Sequence, residues 1–148
     1  MSQQVEVKMQ LLPSYEGLPL PAYQTEGAAG FDFYAAESIH LPRGDYAMIA
    51  TGVKVAIPNG YELQVRPRSG LAAKYGITVL NAPGTVDSDY RGEIKIILIN
   101  LGKSDFSIER GMRIAQGIIA PYVKGEFSVV ASLEETERGD GGFGHTGL

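Results

Sequence analysis

The sequence predicts an all-β protein: a sandwich or barrel of short strands with one short helix. Three observations carry that expectation. Glycine (19) and proline (8) supply 27 of the 148 residues, about 18% against a usual share of roughly 12%, and such a surplus of turn formers disfavours a helical bundle. Hydrophobic residues at 44% and charged residues at 20% suffice for one core and exclude disorder for the body of the chain. Short apolar runs recur between turn signals roughly every 8–15 residues, the spacing of sandwiches and barrels.

Val5, Val7 and Met9 alternate with polar neighbours and predict the first strand. The stretch 12–23 (LPSYEGLPLPAY) carries three prolines and a glycine, so it is an extended connection. Phe31–Tyr34 and Ile39–Leu41 are short strands. Tyr46–Thr51 and Val53–Ile57 are β-rich runs that Gly52 divides, and Pro58-Asn59-Gly60 turns the chain. Tyr61, Leu63 and Val65 then alternate with Glu62, Gln64 and Arg66 in a half-buried strand that ends at Pro67.

The helix is expected next, with Ser69 as its N-cap, Leu71–Lys74 as good helix formers and Gly76 as the stop. Ile77–Leu80, the turn Asn81–Gly84 and a return through Val86 follow. Glu93–Asn100 begins as an alternating strand and becomes apolar on both faces, which predicts a deeply buried second half. Phe106–Ile108, Ile114–Ile119 and Phe127–Val130 complete the strands. Two regions result: a β domain over 1–133 and a glycine-rich tail over 134–148, which cannot bury a core and should be mobile when unbound.

Composition also excludes whole classes of function. Without cysteine there is no disulfide, thiolate nucleophile or Cys-ligated zinc, and two histidines, His40 and His145, cannot build a multi-His metal site. A net charge of −4 disfavours a nucleic-acid partner, which demands a basic face. No apolar run approaches the ~20 residues that span a bilayer, so no membrane partner is expected. The segment MSQQVEVKMQ lacks the basic and apolar regions of a signal peptide, which points to the cytoplasm.

Chemistry concentrates in five clusters. Arg66-Pro67-Arg68-Ser69-Gly70 sits where a strand meets a helix, and two arginines, a hydroxyl and free amides suit a phosphate; the alternative is a capped helix with solvated arginines. Asp87-Ser88-Asp89-Tyr90-Arg91-Gly92 offers a general base beside an arginine, or a polar turn with a surface Asp89–Arg91 pair. Asn81, in the preceding turn, has the donors and acceptors to read a base together with backbone groups. Ala29-Gly30-Phe31-Asp32 places one acid at a strand start. In Arg110–Gln116, Gln116 lies in an apolar strand and must either satisfy backbone groups or face a ligand. The tail Arg138–Gly147 combines glycines for close approach to phosphates with Phe143, which can stack on a planar ring.

Taken together the five clusters resemble the trimeric dUTP diphosphatase (dUTPase) family over nearly the whole chain. Its motifs stand here in order as AGFDFYAA from Ala28, RPRSG (Arg66–Gly70), GTVDSDYRGEI (Gly84–Ile94), RGMRIAQ (Arg110–Gln116) and RGDGGFGHTG (Arg138–Gly147). The resemblance implies a jelly-roll protomer and a homotrimer whose sites draw on three chains. The implied activity is hydrolysis of dUTP to dUMP and pyrophosphate with Mg2+, which limits uracil in DNA and supplies dUMP for thymidylate synthesis. Asp87 would activate the water that attacks the α-phosphorus. Asn81 and the backbone of Gly84, Thr85 and Val86 would read uracil, and Tyr90 would pack under the deoxyribose. Arg68, Ser69, Gly70 and Gln116 would hold the phosphates, with Lys95 near the nucleotide. Asp32 would act on the Mg2+ hydration shell, the metal being chelated by the triphosphate. From the tail, Phe143 would stack on uracil while Arg138, Gly144, His145 and Thr146 close over the phosphates.

This chain departs from the family pattern at His145, where serine is commonest, and at Phe33, where leucine is. A dCTP deaminase shares the fold and an RS-containing motif but lacks the DYRG tyrosine and the Gly-Phe-Gly tail, both present here. A catalytically idle nucleotide-binding trimer would have no need of Asp87 and Arg138.

Overall fold

The alternating strands pair into two four-stranded sheets and one two-stranded ribbon, every pairing antiparallel. The structure, a computed structural model, describes residues 3–148. Along the chain run β1 (Lys8–Leu11), a 3-10 turn (Pro13–Tyr15), β2 (Phe31–Tyr34), β3 (Ile39–Leu41), β4 (Tyr46–Ala56), β5 (Tyr61–Arg66), α1 (Ser69–Tyr75), β6 (Ile77–Val79), β7 (Gly84–Val86), β8 (Glu93–Asn100), β9 (Phe106–Ile108) and β10 (Arg113–Pro121). One sheet has the order β1-β4-β8-β6, the other β2-β10-β5-β7, and β3 pairs with β9. Strands distant in sequence lie side by side, as in a jelly roll.

Both sheets contribute alternate residues to one core. Ile49, Val53, Ile94, Ile96 and Leu98 come from the first sheet and Phe33, Leu63, Val65, Ile114 and Ala115 from the second, all buried. Burial is the main stabilising term, worth about 25 cal/mol per Å² of apolar surface removed from water.

Asn100 is the polar exception at the end of β8, and it is fully buried. Its Nδ2 donates to the carbonyls of Leu41 (3.1 Å) and Ser104 (2.9 Å), and its Oδ1 accepts from the Gly102 amide (2.9 Å). Those bonds tie β3 and the turn after β8 to the sheet. Asn100→Ala strands three backbone groups, so the expected loss is about 3 kcal/mol in urea unfolding at fixed protein concentration. A loss below about 1 kcal/mol would mean that water reaches those groups. At the ribbon, Asp105 accepts from the Arg43 amide (2.9 Å) and faces His40 at 3.5 Å. The Arg43 amide holds its carboxyl below the usual range; desolvation opposes that shift, and His40 adds a lesser lowering.

Five sequence expectations are corrected. The first strand begins at Lys8, with Val7 packed against the core ahead of it. Gly52 does not divide two strands: β4 runs through it, and the register against β8 slips between Ala50 and Lys54. There Gly52 takes φ +71°, and its amide donates to Glu93 Oε2 at 2.9 Å. Gly52 therefore makes a bulge inside the strand instead of ending it. Ser69 is the first helical residue and Arg68 the N-cap, with no side-chain cap bond, while Gly76 closes the helix in the left-handed conformation as expected.

The second half of β8 is not buried on both faces: Ile96 and Leu98 are buried, Ile97 and Ile99 only half-buried. Their neighbours Tyr46 and Met48 are 61% and 56% exposed, because no layer of the same protomer covers this face. The run Phe127–Val130 forms no strand, and Phe127 and Val129 stand 94% and 99% exposed. After Pro121 the chain leaves the sheet without a backbone partner for that run. Among the described residues no helix is long and apolar enough to cross a membrane.

Candidate active site

The loop between β6 and β7 crosses from one sheet to the other, because β6 pairs with β8 and β7 with β5. A cavity of about 260 Å³ opens beside it. Asn81, Gly84, Thr85, Val86, Asp87, Tyr90 and Lys95 line this space, together with Glu93 and apolar walls from Met48, Val65, Val79, Ile94 and Ile97. Sequence reasoning thus placed seven residues that the fold brings to one cavity.

Gly84 makes room there. A Cβ on it would lie 3.3 Å from Val65 and 3.4 Å from Asn81 Nδ2, so a side chain would crowd the Asn81 amide. The following turn is braced by backbone acceptors. The Tyr90 amide donates to the Asp87 carbonyl (3.1 Å), and Arg91 Nη1 donates to the carbonyls of Ser88 (2.7 Å) and Tyr90 (3.1 Å). The surface Asp89–Arg91 pair is therefore absent, since the Arg91 guanidinium serves carbonyls instead. Among the described residues no ion pair engages Asp87, and its side chain is exposed. An exposed carboxylate held at a braced turn is suited to accept a proton.

A second group gathers where β2, β5 and β10 meet. Gln116 sits opposite Asp32 in one pairing and Arg66 in the other. Its Nε2 donates to the Pro67 carbonyl at 3.0 Å, so one of its two N–H groups has a backbone partner and the other is left for a ligand. That bond pins the strand end from which Arg68, Ser69 and Gly70 lead into α1. Gly30 lies below it, and a Cβ there, 2.6 Å from Gln116 Oε1, would push the carboxamide aside.

Asp32, whose side chain is 14% exposed, stands 3.5 Å from Arg68 Nε and 3.7 Å from Arg113 Nη1. Arg68 Nη1 also donates to the Arg113 carbonyl (3.2 Å). Arg113 was missed by sequence reasoning; its only signal was its place three residues before Gln116. Arg66 does not join the group, because its guanidinium donates to Gln64 Oε1 at 2.6 and 3.1 Å. The resulting surface is cationic and carries a helix start, a setting that favours an anion.

None of Asp32, Arg68, Ser69, Gly70 or Gln116 lines the cavity. The tail joins neither group: Phe143 is fully exposed, and Arg138 Nε donates locally to the Gly141 carbonyl (2.8 Å). Tight turns fold the tail on itself, with His145 donating from its amide to the Gly142 carbonyl and its ring resting where a Gly141 Cβ would stand. The three groups of candidate residues thus stand apart within one protomer.

Comparisons with known proteins come down on one family. The family model described as dUTPase matches residues 16–147. The chain is 56% identical over 147 residues to a deoxyuridine 5'-triphosphate nucleotidohydrolase of Wolinella succinogenes, covering 99% of each. Among solved structures it resembles a Staphylococcus bacteriophage 80alpha dUTPase mutant with dUpNHpp, at a TM-score of 0.88 and 26% identity, covering 98% of this chain and 100% of that one. A dUTPase mutant from phage phi11 of S. aureus, studied for coordination of a structural Mg(II) ion, matches at a TM-score of 0.79 and 24% identity over 88% of this chain and 100% of that one, a likeness of fold alone.

Proposed function

The chain belongs to the dUTPase family and hydrolyses dUTP to dUMP and pyrophosphate, and we propose that it does so at sites assembled from three protomers. The observation that carries this reading is the separation of the three parts within one chain. The hairpin cavity has a base-reading amide and a carboxylate but no phosphate-binding arginine. The Arg68–Gln116 group has the arginines, Arg68 and Arg113, and lies outside that cavity. Three copies related by rotation can bring one part from each to every site. The uncovered face with Tyr46, Met48, Ile97 and Ile99 supports association, since exposed apolar patches mark interfaces.

At such a site the Asn81 amide and the backbone of Gly84–Val86 bind uracil. Tyr90 forms the floor beneath the deoxyribose, and Lys95 reaches the nucleotide from β8. Arg68, the Ser69 and Gly70 amides and Gln116 hold the triphosphate. Asp87 takes a proton from the attacking water as its oxygen bonds to the α-phosphorus and the bond to the pyrophosphate oxygen breaks. From the third protomer Phe143 covers the base, and Arg138, Gly144, His145 and Thr146 close on the phosphates.

No group of three or more His, Cys, Asp or Glu side chains gathers among the described residues. A divalent ion therefore fits only as a guest of the triphosphate oxygens, with Asp32 on its water shell. When bound, Mg2+ supplies charge neutralisation to the phosphates. The cytoplasm is the proposed compartment, in keeping with a free nucleotide as substrate. Incubation with each deoxynucleoside triphosphate tests the specificity. Pyrophosphate release from dUTP is expected to exceed that from dTTP or dCTP by about 100-fold or more, and comparable rates would overturn the uracil-reading role of the hairpin.

A further inference from the structure

Gly92 follows the Tyr90 turn and lines no part of the cavity. A Cβ built on it would lie 2.6 Å from Tyr90 Cζ and 2.9 Å from Cε1, and closer still to Oη. These are its three nearest atoms, and all belong to Tyr90. Its φ is not in the left-handed region, so the backbone does not demand glycine. What demands glycine is the aromatic ring lying across position 92. From the other side, Tyr90 Oη donates to the Glu93 carbonyl at 2.9 Å, and Glu93 is itself held by the Gly52 amide.

We propose that Gly92 and the Glu93 carbonyl are positioning elements for Tyr90, and that they set the enzyme's discrimination between deoxyribo- and ribonucleotides. The proposal rests on the reading of Tyr90 as the floor beneath the sugar. A ring seated low over Gly92 and tethered at Oη presents one fixed surface to the sugar, and a 2′-hydroxyl has no room against it. An added methyl at position 92 lifts the ring by about an ångström, a displacement large enough to alter rates markedly. Tyr90 is 46% exposed, so the ring gives way before the backbone does.

The test compares kcat/KM for dUTP and UTP in the wild type, Gly92→Ala, Tyr90→Phe, Tyr90→Ala and the Gly92→Ala/Tyr90→Ala double variant, all as assembled enzyme. Gly92→Ala is expected to raise the UTP-to-dUTP ratio about tenfold, and to add nothing in the Tyr90→Ala background. Tyr90→Phe, which removes only the tether, is expected to raise the ratio by a smaller factor, and it decides the matter if Gly92→Ala does not fold. A purely structural role would lower both substrates alike and leave the ratio unchanged. An unchanged ratio in Gly92→Ala and Tyr90→Phe, with a raised ratio in Tyr90→Ala, overturns the proposal and leaves the reading of Tyr90 standing. An unchanged ratio in Tyr90→Ala overturns that reading, and the proposal with it.

Discussion

Asp87→Asn is expected to lower kcat for dUTP by about 1,000-fold, the usual worth of a positioned general base. The amide keeps the shape of the carboxylate but cannot accept the water's proton at neutral pH. Structure gives the substitution little else to disturb. The Asp87 side chain is exposed, enters no ion pair among the described residues, and the turn around it is held by its own backbone carbonyl and by Arg91. Binding of a non-hydrolysable dUTP analogue should therefore change by less than about threefold, and unfolding should be unaffected. A kcat loss below about tenfold would assign the proton to another group.

Removing residues 137–148 is expected to abolish most turnover, by about 100-fold or more, while leaving the assembly intact by sedimentation. Among the described residues these bond only among themselves and to Thr136: Arg138 to Gly141, Gly139 to Thr136, and the turns at 141, 145 and 147. Among the described residues their loss costs the β body no hydrogen bond or ion pair. On the proposed reading, the catalytic cost comes from losing the aromatic cover of Phe143 and the charge of Arg138 over the phosphates. Full activity after truncation would refute closure by the tail. Mixed assemblies sharpen the point. Truncated chains and Asp87→Asn chains, each inactive alone, should recover turnover when dissociated and reassembled together, because some mixed sites then receive an intact base and an intact tail.

Strand positions were largely legible in the sequence. β2, β3, β5, β8 and β9 lie where alternation and turn residues put them. The errors have physical causes. Gly52 was read as a break because glycine's freedom at positive φ serves an end and a bulge alike; only pairing with β8 distinguishes them. Phe127–Val130 carries a strand's apolar character, yet a strand exists only where a partner edge accepts its hydrogen bonds. Ile97 and Ile99 carry the apolar character of a core strand, and the protomer offers nothing to bury them.

The candidate site divides in the same way. Residues close along the chain, Asp87 and Tyr90 in one turn and Asn81 in the loop before β7, could be grouped from their spacing because the local chain places them together. Arg113 on Asp32, Gln116 on the Pro67 carbonyl and Arg66 turned aside to Gln64 depend on which strands lie adjacent in the second sheet. Periodicity reports which face a side chain takes and nothing about what stands opposite. The sequence by itself determined the β class and most turn positions, since both follow from local covalent preference, and its motifs named the candidate side chains. Tertiary structure alone decided the pairing register, and with it the separation of the candidate residues into a hairpin cavity, an arginine-bearing surface and a tail. Those depend on contacts between residues far apart in the chain, and such contacts leave no mark in any one stretch of it.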